Sequence, residues 1–114
     1  MIKRGEQRAT VREFRLTPER ALTRIRDIAA DTSKIILGQH AQERMAERGI
    51  LDIDIYRILR TGHIQGHIEA AKNKGEWKCK IVKRLRGSRD AGVVTIILEN
   101  GKLFVKTVEW EDIK

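Results

Sequence analysis

His40-Ala-Gln-Glu-Arg44-Met-Ala-Glu-Arg48-Gly49-Ile50 is the stretch around which the chain is organised. It reads as a short helix closed by a glycine, with His40, Arg44 and Arg48 recurring every four residues. At about 3.6 residues per turn this spacing stacks three anion-seeking side chains along one helix face. Upstream of it the apolar residues keep a helical period; downstream, after Gly62, the period changes to two. The fold therefore divides into a helical first half and a stranded second half.

Thr17-Pro18-Glu19-Arg20 has the form of a helix start, with Thr as cap, Pro at the first position and an acid in the first turn. Leu22, Ile25, Ile28 and Ala29 then make an apolar stripe, and the helix is expected to end near Asp31. Ile35-Ile36-Leu37 is too short to type. Beyond Gly49, Asp52 is the expected cap of a further helix that buries Ile55, Tyr56, Ile58 and Leu59 and stops at Gly62.

In the second half, Trp77, Cys79, Ile81 and Leu85 alternate with Lys78, Lys80, Arg84 and Arg86, giving one apolar and one mostly basic strand face. Asn100-Gly101 is a strong two-residue hairpin signal. It sets Leu98 opposite Leu103, Ile96 opposite Val105, Thr95 opposite Lys106 and Val94 opposite Thr107. In that register Val94, Ile96 and Leu98 pack on the helices, while Thr95 and Lys106 line the floor of a cleft. The expectation is an α+β fold of N-terminal helices on one face of a small antiparallel sheet. An arm spans residues 1–16 and one domain residues 17–114, with helices at about 17–31, 39–48 and 52–61 and strands at about 63–71, 76–86, 92–99 and 102–110.

The 114 residues carry 24 basic and 16 acidic side chains, a net charge of +8. Residues 1–26 hold eight Lys/Arg against three Glu, and residues 72–90 eight against two acids, so the basicity lies in two blocks. Clustered basicity is the electrostatic footprint of a polyanion; a soluble basic surface without a partner is the alternative. Neither block forms a basic amphipathic helix, and no apolar run approaches the roughly 20 residues of a membrane span, so no membrane partner is expected. The N-terminus does not open like a signal peptide, and a bacterial-type cytoplasmic protein is the expectation. The single Cys79 excludes an internal disulfide framework and reads as core. His63 and His67, four apart on a strand, would lie about 13 Å from each other, so no metal site and no cofactor is expected.

The His40-Arg44-Arg48 stripe combines a side chain that exchanges protons near neutral pH with two permanent cations. Cleavage of RNA by its own 2′-hydroxyl needs that kit: a base, cations around the crowded phosphate and an acid for the leaving oxygen. Against it stands a charged helix face whose arginines pair with Asp52, Asp54 or a neighbouring glutamate. Lys78, Lys80, Arg84 and Arg86 read as a phosphate-tracking surface. Lys83 falls on the Trp77/Cys79/Ile81 side, where it either snorkels at the strand end or faces a substrate.

His40-Ala41-x-x-Arg44-Met45-x-x-Arg48-Gly49-Ile50 resembles the signature of a widespread bacterial family of unknown function, followed there by a helix, a glycine and a short sheet over about residues 36–110. The order of helices then strands also resembles RelE/ParE-type toxins, including the motility-quorum-sensing-regulator branch. That resemblance implies a metal-independent ribonuclease toxin, or a non-catalytic relative, neutralised by an antitoxin protein. It also implies basic residues on the sheet, for which Lys83, Arg84 and Lys106 match in kind.

Overall fold

The structure, a computed structural model, describes residues 16–85 and 87–112. The arm expected before residue 16 and the candidate residue Arg86 lie outside them. In chain order the elements are α1 (Pro18–Ala29), a single 3-10 turn (Thr32–Lys34), β1 (Ile35–Leu37), α2 (Gln39–Arg48), α3 (Asp52–Thr61), β2 (His63–Ala70), β3 (Trp77–Arg84), β4 (Asp90–Ile97) and β5 (Leu103–Trp110). The result is α+β, as expected. The sheet, however, is mixed rather than wholly antiparallel.

Thr17 caps α1, its hydroxyl accepting the Arg20 N–H at 3.2 Å. The buried stripe of α1 centres on Ala21, Ile25 and Ala29, with Leu22 and Ile28 on its flanks. α1 stops two residues before Asp31, whose carboxylate instead accepts the Ser33 N–H at 3.0 Å and caps the 3-10 turn. The unpaired carbonyls at the C-terminal ends of α1 and α3 are met reciprocally: Arg60 Nε of α3 donates to Ala29 O at 2.7 Å and Arg26 of α1 donates to Gly62 O at 2.9 Å. Two helix ends are thus tied together by guanidinium groups. The cap of α3 also differs from expectation. Asp52 is already helical, and the half-buried work of capping falls to Asp54, whose carboxylate accepts the Leu51 N–H at 2.9 Å.

The strand order is β1-β5-β4-β3-β2. β1 runs parallel to β5, with Ile35, Ile36 and Leu37 opposite Leu103, Phe104 and Val105. Three apolar residues cannot announce such a pairing, because the partner lies some seventy residues away. Once past Leu37 the chain turns at Gly38, whose N–H donates to Val105 O at 3.0 Å, and α2 continues along the rest of β5. A helix therefore covers the strand edge that β1 is too short to pair.

The hairpin register departs from the two-residue prediction by one place. Leu98 N–H donates to Lys102 O at 2.9 Å and Gly101 N–H to Leu98 O at 3.2 Å, and only Gly101 (φ +86) is left-handed. A type I′ turn needs positive φ at both central residues; here Asn100 stays right-handed, and a three-residue loop with a glycine bulge forms instead. Ile97 consequently faces Leu103, Ile96 faces Phe104 and Thr95 faces Val105. A second bulge at Lys106 then restores the predicted pair Val94 with Thr107.

One slip exchanges the two faces of a strand, and that is the outcome in β4. The helix-covered face holds Cys79 and Ile81 of β3, Ala91, Val93, Thr95 and Ile97 of β4, and Leu103, Val105, Val108 and Trp110 of β5, all buried. Val94 and Ile96, expected inside, are half-buried on the opposite face. Thr95 is not a cleft floor but core, its hydroxyl donating to Phe104 O at 3.2 Å. α3 lies on β3 and β4, and α1 packs beside α3.

Candidate functional site

α2 positions the stripe. Ala41 is fully buried, pointing the helix at β5, and Met45 lies half-buried one turn on. Gly49 at φ +69 ends the helix, and Ile50 N–H returns to Met45 O at 3.0 Å, so the buried Ile50 locks the exit. Met45 looks into a recess of about 520 Å³ that it shares with Leu37, Ile50 and Leu51. At 100° per residue His40 lies some 140°, Arg44 about 100° and Arg48 about 60° around the helix from Met45, so the stripe starts on the open flank at His40 and swings toward the buried side at Arg48.

Along the stripe the three residues are brought together, but not around a cavity. Arg44 Nη1 binds Glu47 Oε1 at 2.6 Å and Arg48 Nη1 reaches the same oxygen at 3.5 Å. His40 Nδ1 stands 3.9 Å from Glu43, its side chain 53% exposed. The hydrogen bond from Arg44 holds the Glu47 carboxyl below its usual range, helped by the nearby charge of Arg48 and by His40. The alternative weighed from sequence, arginines paired to a neighbouring glutamate, is therefore the arrangement found. The anchoring is uneven. Arg44 is more open, whereas Arg48 is 24% exposed and its Nε is shielded.

The strand cations divide by face. On the uncovered face, cross-strand neighbours bring Lys78 to Glu69 at 3.6 Å and Arg84 to Asp90 at 3.3 Å. Lys80 sits between Glu109 and Glu111, 2.9 Å from each. Burial works against its charge, but the hydrogen bonds it donates to Glu111 and Glu109 more than offset that, and its pKa is raised. Gly92 makes this possible: a Cβ there would run into the Glu111 carboxylate and the Lys80 chain. Among the described residues, Lys78, Lys80 and Arg84 thus each already have an acidic partner. Lys83 lies on the other face at the strand end, half-exposed, and Lys106 is exposed in the β5 bulge; neither has an ion pair among the described residues.

Sequence reasoning missed two elements of this surface. Trp110 is buried, and its indole Nε1 donates to Arg48 O at 3.0 Å, joining β5 to the C-terminus of α2. Arg89, in the β3–β4 loop, lies over the Trp110 ring with its guanidinium carbon 4.2 Å from the centroid. Neither contact has a local signal, since Arg48, Arg89 and Trp110 lie tens of residues apart. Cys79 is core as expected, and burial pushes its thiol up to about 11. No group of three or more potential metal ligands gathers among the described residues, and none of their helices is long and apolar enough to cross a membrane.

Residues 37–110 match the model of a family described as a domain of unknown function, DUF4258. The matched span runs from the end of β1 to the end of β5 and includes the whole stripe. No curated protein and no solved structure matches the chain.

Proposed function

The chain belongs to the DUF4258 family, whose description assigns no activity, and from its own residues we propose that it is a cytoplasmic RNA-binding protein of RelE-like, toxin-like character that cleaves its RNA without a metal. One observation carries the reading: Arg44 and Arg48 converge on a single carboxylate oxygen of Glu47 on an exposed helix face beside His40. An oxyanion held by two guanidinium groups is a stand-in for a phosphodiester oxygen. A phosphate displaces the exposed Glu47 carboxylate and takes up both arginines. Lys83 and Lys106 extend the anion surface. An antitoxin protein is the proposed partner of the same face.

In the proposed reaction His40 accepts the proton of the ribose 2′-hydroxyl. The 2′-oxygen bonds to phosphorus, and the bond to the 5′-oxygen breaks. His40 returns the proton to that leaving oxygen, while Arg44 and Arg48 stabilise the pentacoordinate phosphate. The test is incubation of the folded protein with total RNA. His40→Ala is expected to abolish cleavage, and Arg44→Ala with Arg48→Ala to weaken binding and flatten its salt dependence by about two. Undiminished cleavage by His40→Ala sinks the assignment of His40; binding indifferent to salt sinks the whole reading.

The openness of the stripe favours a second reading, a non-catalytic binding module. His40 is 53% exposed and its nearest ionic neighbour is Glu43, so water has full access to the group that would move the proton. For that reading the expected result is salt-sensitive binding with no product on a gel.

A further inference from the structure

The α2 stripe and the basic stretch 72–90, remote in sequence, meet at Trp110. Its indole is fastened to the last residue of α2 on one side, through Arg48 O at 3.0 Å, and covered by Arg89 at 4.2 Å. Across the sheet, Trp110 is the cross-strand partner of Ala91, and Ala91 of Lys83. Cross-strand partners share a face at about 5 Å spacing. Lys83, Trp110 and the end of α2 therefore form one row, with Arg89 lying on top of it.

Arg89 is held as Arg44 is held. Its guanidinium donates to Asp112 at 3.2 Å, and both side chains are open to water, 44% and 59% exposed. One face of the guanidinium rests on the indole. The other is available, and a planar cation fixed in this way stacks a nucleobase while its edge donates to a phosphate. An ammonium could not do both.

Resting on the RNA-binding reading above, we propose that the Arg89–Trp110 pair is a base-stacking contact that joins the α2 stripe to Lys83, forming one track for single-stranded RNA. A phosphate held by Arg44 and Arg48 is followed along the track by a base on Arg89 and a second phosphate at Lys83. Asp112, like Glu47, occupies the arginine until RNA replaces it. A duplex, with its bases stacked inside, cannot use the Arg89 platform. An acidic polypeptide has no planar group to place there.

The experiment uses the full chain, a fluorescein-labelled oligouridylate and, as competitor, polyglutamate. A Trp77→Phe background isolates the emission of Trp110, since the chain has two tryptophans. Binding is expected to change Trp110 emission. Arg89→Ala and Lys83→Ala are each expected to weaken binding several-fold and to reduce the salt slope by about one. Arg89→Lys should keep the salt slope yet lose the change in emission, which separates stacking from charge. Lys80→Met, on the other face and enclosed by Glu109 and Glu111, should leave binding unchanged. If the oligouridylate binds and Arg44→Ala weakens it, while Arg89→Ala and Lys83→Ala do not, this proposal is overturned and the RNA-binding reading stands. If the wild-type chain does not bind the oligouridylate, the RNA-binding reading itself fails. Displacement of the oligouridylate by polyglutamate at equal charge concentration overturns the choice of RNA in favour of an acidic protein.

Discussion

α2 and β3 are both rich in cations, yet they hold them in opposite ways. On α2 the acids are neighbours along the same helix: Glu47 serves Arg44 and Arg48, and Glu43 stands near His40. These are exposed pairs three residues or fewer apart, of the kind that contributes little to stability and yields readily to a competing anion. On β3 the acids come from other strands. Glu69 reaches Lys78 from β2, Asp90 reaches Arg84 from β4, and Glu109 and Glu111 enclose Lys80 from β5 and its extension. Those pairs tie strands to one another. Net charge counts both regions alike, but Lys80, enclosed by two carboxylates 2.9 Å away, is withdrawn from a polyanion.

The largest effect that separates the two regions is expected from Lys80→Ala. It removes two hydrogen-bonded ion pairs that are mostly shielded from water and leaves the carboxylates of Glu109 and Glu111 facing each other over Gly92. Hydrogen bonds to charged groups of this kind put the loss at about 1–3 kcal/mol of unfolding free energy. RNA affinity is expected to stay the same, because Lys80 is already occupied. Urea unfolding and oligonucleotide titration of the same preparation check both halves. A stable variant that has lost RNA affinity would reverse the roles of the two regions.

That division was only partly legible in the chain. The helical half could be read because its signals are local: the Thr17-Pro18 start, the Gly49 stop and the 3.6-residue stripe each act within a turn or two. The family-like spacing of His40, Arg44 and Arg48 likewise predicted a shared face, and α2 supplies one. The sheet was harder, because its information is not local. Asn100-Gly101 fits either a type I′ turn or a type I turn with a glycine bulge, and the choice rests on the sign of one φ angle at Asn100. That one choice moved Thr95 from an imagined cleft into the core. The acids that neutralise Lys78, Lys80 and Arg84 were visible as residues, but pairing them required the register. Lys80 could not have been distinguished from Lys83 by composition; its place opposite Val94, diagonal to Glu109, distinguishes it.

Alkaline pH tests the same comparison more gently. The Lys80 pKa is raised in the folded chain, so its pairs contribute fully below the ordinary ammonium value of 10.5 and are lost as pH rises through the folded value. The Cys79 thiol, raised by burial from 9.0 to about 11, lowers stability between those two values, a range that begins below that of Lys80 and overlaps it. It does so equally in wild type and in Lys80→Met, where the methylene stem still packs. The difference in melting temperature between these two proteins is therefore expected to be constant up to about pH 10 and to narrow above it. A difference that does not change with pH would mean that Lys80 acts through packing alone.

The smallest effect belongs to α2 and points the other way. Glu47→Gln keeps the shape of the side chain but removes the charge that Arg44 and Arg48 share. Because the pairs are exposed, the melting temperature should hardly move. Because the carboxylate occupies the place proposed for a phosphate, RNA affinity should rise a few-fold, most clearly at low salt where exposed charges are least screened. Lowering the pH leads to the same end. The Glu47 carboxyl lies below its usual range, so the arginines are released only when the pH falls through that lowered value. Wild type and Glu47→Gln are therefore expected to converge in affinity in acid and to differ near neutrality. If Glu47→Gln binds RNA more weakly instead, the glutamate orients the arginines rather than competing for them, and the helix face is built around its own ion pairs.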